Sequence, residues 1–183
     1  SLDVTDSEAV DRFFDGLSEE GIAIDFLFYT AGILAIEPLV KTTAAAWKRS
    51  VEINLNGAFH CVHAAARSML PRRSGSMLLL GSIAGTKARS GSRVNPVYNS
   101  TKAAIAAFTN ATAMQLRPHG IRINCISPGP TATPMMDIQP ERVHESVREI
   151  ALDRRLNSPA EVAETALFVA AHGRFTGEDV GMG

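Results

Sequence analysis

Cysteine is nearly absent: only Cys61 and Cys125 occur among 183 residues, far apart and outside any CxxC spacing. This excludes a thiolate zinc site and a framework of structural disulfides, and it points to a reducing compartment and a cytoplasmic address. A surplus of charge is missing too. The net charge is −1, which offers no basic face to nucleic acid or to an anionic membrane. No apolar run approaches the ~18 residues that spanning a bilayer requires. His60 and His63 stand three apart beside Cys61, but with no third ligand in view they read as an exposed helix face, not a metal site. His119, His144 and His172 read as surface or cap residues. What remains is an ordinary globular mixture, 45% hydrophobic and 20% charged, in a chain long enough to bury a substantial core.

The apolar patterning alternates between strand and helix. Asp6 or Ser7 can cap a helix through Val10, Phe13, Phe14 and Leu17 that stops at Gly21. A strand is predicted over 25–30, then a long helix from Thr42 or Thr43 to about Leu70, ended by Pro71. The run Met77-Leu78-Leu79-Leu80 reads as a buried strand arriving at Ser82. A second long helix covers 96–116 and breaks at Pro118-His119-Gly120, before an alternating strand over 121–127. Helical segments near 141–152 and 159–171, the latter opened by Ser158-Pro159, precede a closing strand within 175–183. Strands alternating with helices predict an α/β fold, a doubly wound parallel sheet with helices on both faces. Such sheets bind ligands beyond the C-terminal ends of their strands, where Thr30-Ala31-Gly32, Ser82 and Pro128-Gly129 fall.

The chemistry centres on Tyr98 and Lys102. Four residues apart on a helix, phenol and ammonium share a face. A fixed cation favours the phenolate, so this spacing predicts a Tyr98 that ionises more easily than usual and exchanges a proton with an alcohol or carbonyl oxygen. Ser82 is placed to position such an oxygen, and no His or acid stands where a serine hydrolase would need it. Asn54 lies mid-helix, where Asn is a poor helix former. Met135, Met136 and Ile138 suggest an apolar substrate wall or ordinary core filler, and the loop Lys87-Ala88-Arg89-Ser90-Gly91-Ser92-Arg93 is basic, either a solvated loop or a border of the substrate mouth.

Taken in order, Asp3-Val4, Ala31-Gly32, Asn54, Ser82, Tyr98 with Lys102, and Pro128-Gly129 with Thr133 make the chain resemble the classical short-chain dehydrogenase/reductase family along nearly its whole length. The resemblance implies a Rossmann-like fold over 1–183 and a hydride transfer between NAD or NADP and a small alcohol or ketone. It implies Tyr98 as acid/base, with Ser82, Lys102 and Asn54 as its catalytic partners. In that family Lys102 would also bond the nicotinamide ribose, and the Asn54 backbone carbonyl would hold a water linked to Lys102. Asp3 and Val4 would hold the adenine. Thr30, Ala31, Gly32, Pro128, Gly129, Thr131 and Thr133 would complete the cofactor site, with Thr131 and Thr133 on the carboxamide. Tyr29-Thr30-Ala31-Gly32 departs from the family's usual Asn-Asn-Ala-Gly, which alters the donors of that turn. A homodimer or homotetramer is implied as well. Members usually open with a strand, a Gly-rich phosphate-binding turn and a helix. No such segment precedes Asp3, and the far end stops short of the usual close, which is the pattern of a domain trimmed at both ends. The rival expectation is a non-catalytic dinucleotide-binding or regulatory protein of the same fold, or an inert fragment.

Overall fold

A computed structural model describes residues 1–34, 37–86, 95–137, 145 and 154–182. Four strands, β1 (Phe26–Tyr29), β2 (Gly75–Leu80), β3 (Ile121–Pro128) and β4 (Asp179–Met182), form one sheet in the order β1-β2-β3-β4. Every pairing is parallel, with Tyr29 opposite Leu79, Leu79 opposite Cys125, and Cys125 opposite Asp179. All four C-terminal ends therefore open on the same side of the molecule.

Helix starts follow their caps. Asp6 accepts from Ala9 N at 2.9 Å and opens α1 (Ser7–Glu19). Thr43 accepts from Ala46 N at 3.1 Å and opens α2 (Ala44–Val51). Asn95 accepts from Tyr98 N at 2.9 Å, with Pro96 in the first turn, and opens α5 (Pro96–Leu116). Each supplies an acceptor for a backbone N–H that the first turn leaves unpaired. The long helix expected from Thr43 to Leu70 forms, with one correction: between α2 and α3 (Gly57–Met69) the turn Glu52–Asn56 is π-helical. Asn54 thus sits in a widened turn, not in regular α-helix. Two short helices, α4 (Ile83–Thr86) and α6 (Pro134–Asp137), follow strand ends. In α7 (Pro159–Ala171) Ser158 and Glu161 form a reciprocal capping box, at 3.2 and 2.6 Å. The basic loop 87–93, Ile138 and nearly all of the helix predicted at 141–152 lie outside the described residues.

Alternation along the strands splits the core in two. Met77, Leu79, Ile121, Ile123 and Cys125 pack with α1, α3 and α5 through Val10, Phe14, Ala58, Ala65, Met69 and Ile105. On the opposite face Leu78 and Ile126 pack with Val162, Ala166 and Val169 of α7. Helices cover both faces, as the pattern predicts.

Candidate functional site

The end of β2 and the start of α5 build the centre. Ser82 lies two residues past β2. Its hydroxyl accepts from Ala84 N at 3.2 Å, its carbonyl accepts from Gly85 N at 2.9 Å, and its side chain lies near enough to the Tyr98 phenol to favour the phenolate. The short helix α4 lies hard against α5: a Cβ built on Gly85 would stand 2.5 Å from Ala103 N. Only glycine permits that approach, and the approach is what brings Ser82 to Tyr98.

One turn beyond Tyr98, Lys102 is 5% exposed, and its Nζ donates to the Leu80 carbonyl at 2.6 Å. That nitrogen stands 5.8 Å from the centroid of the Tyr98 ring. Burial pushes the Lys102 ammonium down to about 8, opposed only in part by the nearby Cys125. The structure corrects the expectation of a Tyr98 that ionises easily. Burial raises its pKa above the ordinary phenol value, and the neighbouring Ser82 side chain offsets part of that rise. Taking the phenolate out of water costs more than the Ser82 side chain returns.

Asn54 is 1% exposed and fully engaged. Its Oδ1 accepts from Ile33 N at 2.8 Å, while Nδ2 donates to Ile33 O and to Thr101 Oγ1, both at 3.1 Å. Thr101 in turn donates to the Tyr98 carbonyl at 2.9 Å. The side chain of Asn54 therefore straps the Gly32-Ile33 turn beyond β1 onto α5. Gly32 is close above this strap, since a Cβ there would stand 3.4 Å from Asn54 Oδ1 and 3.7 Å from Lys102 Nζ. Tyr29 fixes the π-helical turn from below, donating to Ile53 O at 2.7 Å.

Beyond β3, Gly129 N donates to Met182 O at 2.6 Å, and a Cβ on Gly129 would lie 3.5 Å from Ile83 Cδ1, next to Ser82. Thr131 donates to Gly129 O at 3.0 Å, and Thr133 donates to the Thr131 carbonyl at 3.5 Å. Ala31, Gly32, Asn54, Ser82, Tyr98, Lys102, Pro128 and Gly129 thus gather at one end of the sheet. Thr30 is exposed at the end of β1, and Met136 is buried while Met135 is exposed.

Asp3 and Val4 lie apart from this centre, beyond Gly57 and Tyr29. Helix α1 is capped by Asp6 and not by Asp3. Asp3 Oδ1 instead accepts from Thr5 N at 2.9 Å and Thr5 Oγ1 at 2.8 Å, bonds that hold its carboxyl below the ordinary value. Among the described residues, Asp3 Oδ2 and the Val4 N–H have no partner. A carboxylate acceptor beside a backbone donor matches the amino group and ring N1 of adenine, and mismatches guanine, whose carbonyl and N1–H are reversed. Lys102 spends one of its three N–H donors on Leu80. The donor set therefore fits an adenine dinucleotide.

His60 is a residue the sequence reading passed over. Its Nδ1 stands 2.9 Å from Val4 O, while the His63 ring stacks on Phe59 at 5.7 Å. Among the described residues no group of three or more His, Cys, Asp or Glu could hold a metal, and no helix is long and apolar enough to cross a membrane.

Residues 1–180 match the family profile described as Enoyl-(Acyl carrier protein) reductase. The 3-oxoacyl-[acyl-carrier-protein] reductase MabA of Mycobacterium tuberculosis is 31% identical, over 92% of this chain and 67% of that protein. Galactitol 2-dehydrogenase of Rhizobium johnstonii is 34% identical, over 92% of this chain and 66% of its own length. Among solved structures, a 3-oxoacyl-[acyl-carrier protein] reductase with bound NAD from Brucella melitensis superposes with a TM-score of 0.84 at 30% identity, covering 99% of this chain and 68% of that one. The chain spans about two thirds of the length of these curated relatives.

Proposed function

This chain belongs to the short-chain dehydrogenase/reductase family, and from that premise we propose that it is an NAD(P)-dependent oxidoreductase of secondary alcohols and ketones. The observation that carries the reading is the gathering at one end of the sheet of Ser82, Tyr98 and Lys102, whose ammonium is anchored on Leu80 and stands 5.8 Å from the Tyr98 ring centroid. The dinucleotide, when bound, supplies or accepts the hydride. Ser82 orients the substrate oxygen toward the phenol. In ketone reduction Tyr98 donates its proton to that oxygen, and in alcohol oxidation it takes the proton up. Lys102 holds positive charge beside the phenol as it ionises and has donors left for a ribose.

Asn54 has no side-chain hydrogen left to give, so its contribution is positional, through Ile33 and Thr101. Any contact with a proton-relay water falls to its backbone carbonyl. Asp3 and Val4 receive the adenine, Thr30, Ala31 and Gly32 border the dinucleotide, and Pro128, Gly129, Thr131 and Thr133 line the carboxamide. Met135 offers an apolar side to the substrate. The work of the enzyme is cytoplasmic in this reading, and its assembly is a homodimer or homotetramer.

Loss of the reduced-nicotinamide absorbance, followed across a panel of small ketones, tests the reading. Turnover of at least one ketone that depends on Tyr98 is the expected outcome. Dinucleotide binding with no turnover of any ketone or alcohol would assign a binding role instead.

A further inference from the structure

We propose that His60 is a positioning residue for the adenine end of the dinucleotide, acting through the Val4 carbonyl; the inference rests on the cofactor reading given above. A carbonyl only accepts, so the 2.9 Å contact requires that His60 Nδ1 carry the hydrogen and donate it. The peptides on both sides of Val4 are then pinned. The Asp3 carbonyl accepts from Asp6 N at 3.2 Å, the Thr5 N–H donates to Asp3 Oδ1 at 2.9 Å, and the Val4 carbonyl is held by His60. In a trans peptide the C=O and N–H point in opposite directions. Engaging the Asp3 carbonyl with Asp6 therefore aims the Val4 N–H away from Asp6.

One helix face supplies both holds on Val4. Gly57 and His60 are three apart on α3, hence neighbours on its surface. At Gly57 a Cβ would stand 2.6 Å from Val4 Cγ2 and 2.7 Å from the Tyr29 hydroxyl, so glycine there lets the Val4 side chain sink onto the helix. His60, one turn on, grips the carbonyl of the same residue. The same continuous helix carries Asn54 in its π-helical turn. The helix thereby sets the adenine-facing pair and the strap on α5 in one rigid frame, and His60 is its contact with the loop.

Calorimetric titration of wild type and His60→Leu with adenosine 5′-monophosphate, with NAD(P) and with nicotinamide mononucleotide tests the role, together with kcat and KM. His60→Leu is expected to raise the Kd for adenosine 5′-monophosphate and for the dinucleotide about tenfold, the worth of one net hydrogen bond. Nicotinamide mononucleotide affinity and kcat at saturating dinucleotide should not change. His60→Asn, whose amide donates from nearly the same place, should recover most of the loss. His60→Phe keeps the ring volume and replaces His60→Leu if that variant does not fold. Unchanged adenosine 5′-monophosphate affinity in His60→Leu, alongside a loss in Asp3→Ala, would overturn the role of His60 and leave the adenine reading standing. Unchanged affinity in both variants would overturn the adenine reading as well. An equal loss for all three ligands, with a lowered Tm, would make His60 merely structural and would also overturn the proposal.

Discussion

At the scale of single residues, the site is defined by what burial does to Lys102 and Tyr98. The ammonium titrates at about 8 in the folded protein against 10.5 ordinarily. Between those values the unfolded chain binds more proton than the folded one, so the stability contributed by this group grows as pH rises through that window. Lys102→Met should lose this slope: its urea midpoint, relative to wild type, is highest below pH 8, and the advantage shrinks toward pH 10.5. An unchanged difference across that range would contradict the burial argument. The four-residue spacing of Tyr98 and Lys102 was readable in the sequence because a helix makes it a geometric fact. The sign of the Tyr98 shift was not, because burial depends on Ser82, Gly85 and α4 arriving from elsewhere in the chain. His60 was missed for a similar reason. Its pairing with His63 drew attention to metals, whereas the useful signal was Gly57 one turn earlier, marking where another segment touches α3.

At the scale of elements, caps and glycines do the positioning. The starts of α1, α2 and α7 were legible from Asp6, Thr43 and Ser158, which act within their own first turns, whereas α5 was placed from Pro96 without its Asn95 cap. The π-helical turn at Glu52–Asn56 was not, because the contacts that flank it come from Tyr29, Val4, Ile33 and Thr101, distant in sequence. The contact of α4 with α5 yields a sharp prediction. In Gly85→Ala the new methyl would meet backbone, Ala103 N at 2.5 Å and Lys102 C at 2.7 Å, so one helix must move. Overpacking of this kind costs about 1–3 kcal/mol. Urea unfolding should show that loss, and kcat should fall further than KM rises, because Ser82 retreats from Tyr98. Wild-type kcat in that variant would mean that α4 does not set the Ser82 position.

At the scale of the whole molecule, a parallel sheet collects the ends of β1, β2 and β3 on one side, and this brings residues as far apart in sequence as Ala31 and Gly129 to one end of the sheet. The order of motifs made that much legible in advance. The sequence did not disclose which apolar residues stay exposed. Phe59 is 51% exposed on α3, within 6.3 Å of the Phe108 ring on α5, and Met114 is 60% exposed farther along α5. An exposed aromatic on this helix pair is where the proposed homodimer or homotetramer would meet. Sedimentation should therefore find an oligomer that Phe59→Glu weakens, and a monomeric wild type would contradict the assignment of that face. The central claim concerns chemistry, and its most direct measurement is Tyr98→Phe, read by nicotinamide absorbance on a ketone that wild type reduces and by dinucleotide titration in parallel. The account predicts turnover lost by about a hundredfold or more, the worth of a general acid, with dinucleotide affinity nearly unchanged. Turnover equal to wild type would show that Tyr98 is not the proton donor, and the reading of the site would fall with it.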